Sequence, residues 1–419
     1  MSAVTPVADP TPGSVPSGDP SRLAELMVRV ARLLLLQGIT CNRIEGILEQ
    51  IASRSGMPAE INATPTSVFL SLGGGQTTLT RMVRANPEAA DYAKLGALLH
   101  VLDQIERREV DLTEASEQID KISGWAPRYS TATRLVATMV LSGASALLLS
   151  MRWREIALAL LLGMCSGAVA LPSRLREGLR EALPVLVAAV TAFLIFSAHR
   201  GGVPVHPIPL LVAGLVSFLP GLQMTAAMFE LATGHWVAGS SRLIAGATRL
   251  LLLVLGAMTG EQLAAAVVPL SRAVVESGGG VHWGWLLAPG LAGLAFSILR
   301  SGDARDSGWV VAVCYLGILT AFFTTPLLGA TGGAFWGAFS TALASNAIAY
   351  RTRRPALVTL GPAILLLVPG VLGFMSLSPV LAGDMSETLW TLLQVCLISV
   401  SLSLGGLLAS LLVAPPRQV

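Results

Sequence analysis

Ser217-Phe-Leu-Pro-Gly-Leu222 and Leu366-Leu-Val-Pro-Gly-Val371 each set a Pro-Gly pair inside a long apolar segment, and the two prolines stand 149 residues apart (369 − 220). Moved forward by that offset, the apolar segments that begin near 135, 155, 183, 207 and 242 fall close to later ones near 284, 304, 332, 356 and 391. A five-span unit that occurs twice inserts its copies in opposite senses, because an odd number of crossings leaves the chain on the far side of the bilayer. Inverted repeats with matching interruptions are the sequence sign of a secondary transporter. The fold class expected is therefore an α-helical polytopic membrane protein. Its ten transmembrane helices form two inverted five-helix repeats, preceded by a small α+β soluble domain.

Composition agrees. Of 419 residues, 53% are hydrophobic and 13% charged, with a mean hydropathy of +0.68, which no solvated globule of this size shows. A net charge of +3, spread along the chain, makes no case for nucleic acid or acidic partners. Cys41, Cys165, Cys314 and Cys396 have neither metal-ligand spacing nor a disulfide framework, and three of them lie in apolar segments as small buried hydrophobes. The Gly73–Gly75 run lacks the following helix and Lys-Ser/Thr of a phosphate loop, and no Ser/His/Asp or Cys/His set supports catalysis. The chain is read as a non-enzyme without cofactor or metal.

Five regions follow. Residues 1–20, rich in Pro, Ser, Thr, Gly and Asp, form a disordered tail without the apolar stretch of a signal peptide. Residues 21–130 form a cytosolic α+β domain. Leu23, Leu26, Met27, Val30, Leu33 and Leu34 recur at helical spacing and stop at Gly38. Asn42 with Glu45 reads as a capping box for a second helix through Ile44, Ile47, Leu48 and Ile51. Strands over 66–72 and 77–83 flank a Gly-rich hairpin, and helices near 87–107 and 113–123 complete the unit. Membrane repeat 1 occupies 131–260, a linker 261–283, and membrane repeat 2 284–419.

The ten segments run over about 135–150, 155–171, 183–199, 207–228, 242–260, 284–299, 309–325, 329–348, 357–375 and 389–412. With the N-terminus inside, ten arginines between Arg174 and Arg417, Arg242 among them, fall in cytosolic loops, against Arg152, Arg154, Arg200 and Arg272 outside. That bias sets both termini in the cytosol and the spans in the cytoplasmic (inner) membrane. Small residues at four-residue spacing, such as Gly163 with Gly167 and Gly333 with Gly337, let helices approach closely. The sequence leaves self-association open.

Proline removes an internal hydrogen bond, so a helix tends to break at Pro220-Gly221 and Pro369-Gly370. As first-turn residues, Pro220 and Pro369 would each begin a half-helix whose positive end faces the membrane centre, where an anionic group binds. The competing reading is a packing kink. Ser217, Gln223, Thr225, Ser340, Thr341 and Asn346 lie in or beside these spans and suit an ammonium or hydroxyl group; each equally suits a bond to its own helix. Glu230 stands ten residues beyond Pro220, about 15 Å along a helix, near the cytosolic edge. Glu230, Arg242 and Asp384 are the candidate coupling or gating residues, with ordinary interfacial charge as the alternative. No cluster of cations is read in the spans, which weighs toward a zwitterionic substrate over a dianion.

The soluble stretch Leu33-Leu-Leu-Leu-Gln-Gly-Ile-Thr-Cys-Asn-Arg-Ile-Glu45, then Thr64-Pro-Thr66 and Thr80-Arg-Met-Val-Arg84, resembles the N-terminal domain of the threonine/serine exporters. The longest match is Leu219-Pro-Gly-Leu222, Thr225, Glu230-Leu231, Gly234 and Gly239-Ser-Ser-Arg-Leu243, with Pro369-Gly370 as its counterpart. The resemblance runs from about Leu33 to Gly406. It implies a ten-span exporter of small hydroxy amino acids driven by the proton motive force, whose partners are the amino acid, protons and the bilayer. The family commonly has Asp where Glu230 stands and an acidic or polar residue where His235 stands. A related two-chain arrangement is linked to dicarboxylate export, so a succinate-like substrate is the alternative. A membrane-anchored sensor or scaffold is the alternative of a different class.

Overall fold

Leu23, Leu26, Met27, Val30, Leu33 and Leu34 form one buried stripe along α1 (Pro20–Leu36), each no more than 2% exposed. The helix ends where Gly38 takes φ 64°, a left-handed turn that a β-carbon would resist, so that Ile39 N–H can reach back to the Leu34 carbonyl at 3.3 Å. This computed structural model describes residues 20–73, 78–87, 89–107, 109–170, 177–270, 282–367 and 385–413. Within them, α2 (Cys41–Arg54) follows at once, and its N-cap is Thr40. The expected Asn42–Glu45 capping box is therefore overturned. Asn42 already lies inside the helix, and the Glu45 carboxylate instead accepts the Ala63 N–H at 2.7 Å.

β1 (Ala59–Ala63), β2 (Ser67–Leu72) and β3 (Leu79–Arg84) form an antiparallel sheet in the order β1-β2-β3, with Phe69 opposite both Asn62 and Met82. Val68, Leu70 and Leu72 alternate inward onto α1, as the two-residue period of a half-buried strand requires. Asp91 then caps α3 (Tyr92–Glu106) by accepting the Ala93 and Lys94 N–H groups, and α4 (Leu112–Ser123) closes the same core. The Gly74–Gln76 part of the expected hairpin turn lies outside the described residues.

From residue 131 the described chain is helical: α5 (Thr131–Leu148), α6 (Trp153–Ala170), α7 (Glu177–Arg200), α8 (Pro207–Leu215), α9 (Gly221–Ala232), α10 (Trp236–Val267), α11 (Ala288–Leu299), α12 (Ser307–Thr352), α13 (Leu357–Leu367) and α14 (Met385–Leu412). Six of these stretches are long and apolar enough to cross a bilayer, or seven if α8 and α9 are one bent span; α11 and α13 are shorter. Large apolar side chains such as Leu251, Leu255, Phe323 and Leu327 point outward, as they do where lipid replaces water. Two boundaries differ from expectation. Arg242 lies inside α10, not in a loop, and α10 continues to Val267, through part of the expected 261–283 linker.

α12 breaks at Gly329 (φ 73°, ψ 178°) and folds back on itself. A β-carbon on Gly333 would stand 3.2 Å from the Ala321 carbonyl, and one on Gly337 3.2 Å from that of Gly317. The two arms are thus an antiparallel hairpin around the break. Elsewhere the helices meet at glycine: a β-carbon on Gly256 or Gly260 of α10 would strike the Val185 or Ala189 carbonyl of α7, and one on Gly405 of α14 the Phe335 carbonyl of α12. Trp153 meets Trp283 at 5.6 Å and Trp285 stacks on Phe322 at 5.9 Å, and side chains of this kind gather at membrane interfaces.

Candidate functional site

α8 ends in a single 3-10 turn, Val216–Phe218; Leu219 is extended, and α9 starts at Gly221 after a bend of 66°. Pro220, buried with φ −81° and ψ 29°, occupies the N-cap position, one residue before the expected place in the first helical turn. Proline has no N–H to contribute to a continuous ladder, so the chain releases the helix there and restarts it. The first internal bond of α9 runs from Met224 N–H to the Pro220 carbonyl, 2.9 Å. Ser217 is exposed at the break, and Gly221 is buried.

The other polar candidates mostly satisfy themselves along the backbone. Thr225 Oγ1 donates to the Gly221 carbonyl at 3.2 Å, Ser340 Oγ to that of Gly337 at 3.0 Å, and Thr341 Oγ1 to those of Gly337 and Ala338 at 2.9 Å. Gln223 Nε2 reaches the Arg242 carbonyl at 3.4 Å, and Asn346 Nδ2 donates to the Val413 carbonyl at 2.9 Å, tying α12 to the end of α14. Ser403 of α14 donates to the Thr225 carbonyl at 3.2 Å, which fixes α9 from the second half of the chain. Pro369, Gly370 and Asp384 lie outside the described residues.

At the far end of α9 the structure brings together residues some 200 positions apart. Glu230 is 0% exposed and Arg242 7% exposed. Arg242 Nε stands 2.9 Å from Glu230 Oε2 in an ion pair whose N–H direction falls short of a hydrogen bond. Both side chains then turn to the α1–α2 corner: Arg242 donates to the Gly38 carbonyl at 3.2 Å and the Ile39 carbonyl at 2.8 Å, while Glu230 Oε1 accepts the Cys41 N–H at 2.9 Å. Two carbonyls of the turn between α1 and α2 and an orphan N–H at the start of α2 are thus satisfied by one buried pair from the membrane half. Burial and the Glu230 charge push the Cys41 thiol up to about 12. His235, at the N-cap of α10, adds contacts to Glu45 Oε2 at 3.1 Å and Thr233 Oγ1 at 3.3 Å.

A second seam joins the soluble unit to the α11–α12 loop. Tyr92 N–H donates to the Arg300 carbonyl at 2.8 Å, Tyr129 Oη to that of Gly302 at 2.8 Å, and Arg128 pairs with Asp303 at 3.2 Å. The Arg305 N–H and the Arg128 guanidinium hold the Asp303 carboxyl below its ordinary range. Asp306 pairs with Arg354 at the two ends of α12.

Besides Arg242, α10 carries a second arginine that the sequence reading did not single out. Arg249 stands in mid-α10, one turn beyond Gly246, whose missing β-carbon faces Met224 and Pro220. Arg300, at the end of α11, folds its guanidinium back over the Phe296 ring at 4.9 Å. In sequence a single arginine in an apolar stretch resembles an interfacial charge, which conceals Arg249. Its signal is depth: α10 begins at Trp236, thirteen residues earlier, or about 20 Å.

Comparison with known proteins follows the same outline. A family model described as "Putative threonine/serine exporter" matches residues 25–264, and a second, described as "Threonine/Serine exporter, ThrE", matches 286–412. A curated relative, named "Probable threonine/serine exporter", comes from Mycobacterium tuberculosis; it is 23% identical over 444 residues, covering 97% of this chain and 79% of that one. No solved structure matches. With more than half its length under one family model, and the soluble unit, the break and the Glu230–Arg242 pair all inside that match, the chain belongs to the threonine/serine exporter family.

Proposed function

We propose that this protein exports small hydroxy amino acids, threonine and serine, across the cytoplasmic membrane, driven by the proton motive force. Family membership carries that reading. The proposed machine has ten spans: α5, α6, α7, the bent α8–α9 pair, α10, α11, the two arms of α12, α13 with the residues that follow it, and α14. Two inverted five-helix repeats alternate access around Pro220-Gly221 and Pro369-Gly370. Matched packing supports the duplication: Gly405 of α14 meets α12 as Gly256 of α10 meets α7, an offset of 149, and Gly293 faces Val310 as Gly143 faces Leu160, an offset of 150.

In this reading Ser217, Pro220, Gly221, Gln223, Thr225, Ser340, Thr341, Asn346, Pro369 and Gly370 line the path. Glu230, Arg242 and Asp384 serve gating, with Glu230 and Arg242 as the joint between α9–α10 and the cytosolic unit. Both termini face the cytosol. The test loads cells with a threonine-containing dipeptide and follows internal threonine with and without the protein, then with a protonophore. Faster efflux that collapses with the protonophore is expected. Equal efflux in both strains overturns the reading, and faster succinate efflux alone would move the substrate to dicarboxylates.

A further inference from the structure

Glu155 is a buried carboxylate, 1% exposed, that the proposed path does not use. As the third residue of α6 it bonds back to the Arg152 N–H at 3.0 Å, in the manner of a capping box. Its other oxygen accepts the His206 N–H at 2.7 Å and faces His206 Nδ1 at 2.8 Å. His206 is the N-cap of α8, extended (φ −93°, ψ 101°) as residues before proline tend to be.

The second half of the chain repeats this joint. Asp306, at the N-cap of α12, pairs with Arg354, and Arg354-Pro355 precedes α13 as His206-Pro207 opens α8. The carboxylates stand 151 residues apart (306 − 155) and the cations 148 (354 − 206), within two residues of the 149 that separates the Pro-Gly pairs. Each joint ties the start of a repeat's second helix to the residues ahead of its fourth, the helix that leads to the Pro-Gly pair.

We infer that Glu155–His206 and Asp306–Arg354 are paired latches at opposite faces of the membrane half, and that histidine makes the outer latch respond to external pH. The inference rests on the inverted-repeat export reading, which decides the outer face. Arginine keeps its charge, whereas histidine changes charge between about pH 5 and 8. The Asp306–Arg354 latch is therefore constant. Glu155–His206 is an ion pair while His206 is protonated and a neutral hydrogen bond once it is not, so the closure that charge supplies is present below the histidine range and fades as pH rises through it. The imidazole is 51% exposed and open to external protons, while Glu155 stays sealed. Around the pair, α6 adds Arg152 and Arg154, α7 ends in His199 and Arg200, and the 3-10 turn before α11 carries His282. α8 has no titratable residue, and α5 has only Arg134, in its first turn. Arg200 is committed to the Val268 and Ala265 carbonyls. Under an inward proton gradient, the acidic exterior seals the outer end once substrate has left and favours return to the inward-open state.

The test follows hydrogen exchange of the His206–Leu211 segment in the full-length protein in lipid nanodiscs, as protection relative to the intrinsic rate at each pH. Native protection falls about three- to tenfold between about pH 5.5 and 8. Glu155→Gln and His206→Gln flatten the profile, and His206→Arg, which copies the second repeat, keeps protection throughout. Arg354→His gives the α12–α13 joint the same decline, while His199→Gln and His282→Gln behave as the native protein does. In cells loaded with a threonine-containing dipeptide, the ratio of native to His206→Arg efflux falls as external pH rises, since both share the same driving force. Three results overturn the latch: a flat native profile, a decline that survives in His206→Arg or is abolished by His199→Gln or His282→Gln, or a constant efflux ratio. A decline lost in His206→Arg in a protein that exports no threonine upholds the latch and refutes amino-acid export.

Discussion

Replacing Arg242 by methionine should open the seam between the soluble unit and the α9–α10 corner. The change removes the partner of Glu230, which is 0% exposed, and strips the Gly38 and Ile39 carbonyls of their donors at 3.2 and 2.8 Å. Removing one member of a buried pair costs about 3–5 kcal/mol, most of it from the charge left behind. Each unsatisfied carbonyl adds to that, though not additively. Taking about 4 kcal/mol, the opening equilibrium shifts by about a thousandfold.

Cys41 reports that opening directly. Its N–H is bonded to Glu230, its side chain is 0% exposed, and its thiol is pushed up to about 12, so it is inert to thiol reagents while the seam is closed. Labelling at pH 8 followed by peptide mapping should show Cys41 modified about a thousandfold faster in Arg242→Met than in the native protein. Glu230→Leu combined with Arg242→Met removes both charges and should recover most of the protection, because a buried pair exchanged for apolar side chains is nearly neutral. An unchanged Cys41 rate in Arg242→Met would refute the view that this pair holds the two parts together.

Gly405→Ala should cost about 1–3 kcal/mol, because its β-carbon strikes the Phe335 carbonyl, whereas Gly406→Ala, with open space at that position, stays within about 0.5 kcal/mol; thermal melts of the two variants provide the comparison. Asp91→Ala removes the side-chain cap on Ala93 and Lys94 and should destabilise the soluble unit by about 1 kcal/mol, read by hydrogen exchange along α3. The Asp303 carboxyl is held below its ordinary value of 3.8, so the Arg128–Asp303 contact contributes fully above that pH and is lost only as pH falls through the lower folded value. Exchange protection at the α11–α12 loop should therefore hold at pH 5 and fall below pH 3.8, and Asp303→Asn should remove that dependence.

Elements set by local pattern are legible in the sequence alone. The stripe on α1, the alternation in β2 and the interruption at Pro220 follow from rules that span a few residues. β1 escapes such rules because Ala-Glu-Ile-Asn-Ala carries one large apolar side chain and becomes a strand only by pairing with β2. The capping box fails for a related reason: Glu45 has better partners in Ala63 and His235 than the end of its own helix. In sequence Glu230 and Arg242 are two separate charges, because the purpose of the pair, closing the α1–α2 corner, depends on a contact across about 200 residues.

α9 is short, and it is held along its length. Its last turn carries Glu230, locked to Arg242 and to the soluble unit, and its Thr225 carbonyl accepts Ser403 from α14. Its first turn begins at a proline, next to a 3-10 turn and an extended residue that have no continuous hydrogen-bond ladder. Rotating α9 within its own packing would break a buried ion pair and two interhelical bonds together. Bending at 216–220 disturbs few or no backbone bonds, since the ladder is already open there. Resistance to a pivot about the Pro220 break therefore comes from elsewhere: Ser403 on the Thr225 carbonyl, the close approach of Gly256 and Gly260 to α7, and the seam at the α11–α12 loop. The Glu230–Arg242 pair and the Pro220 break thus stand at opposite ends of the same twelve-residue helix.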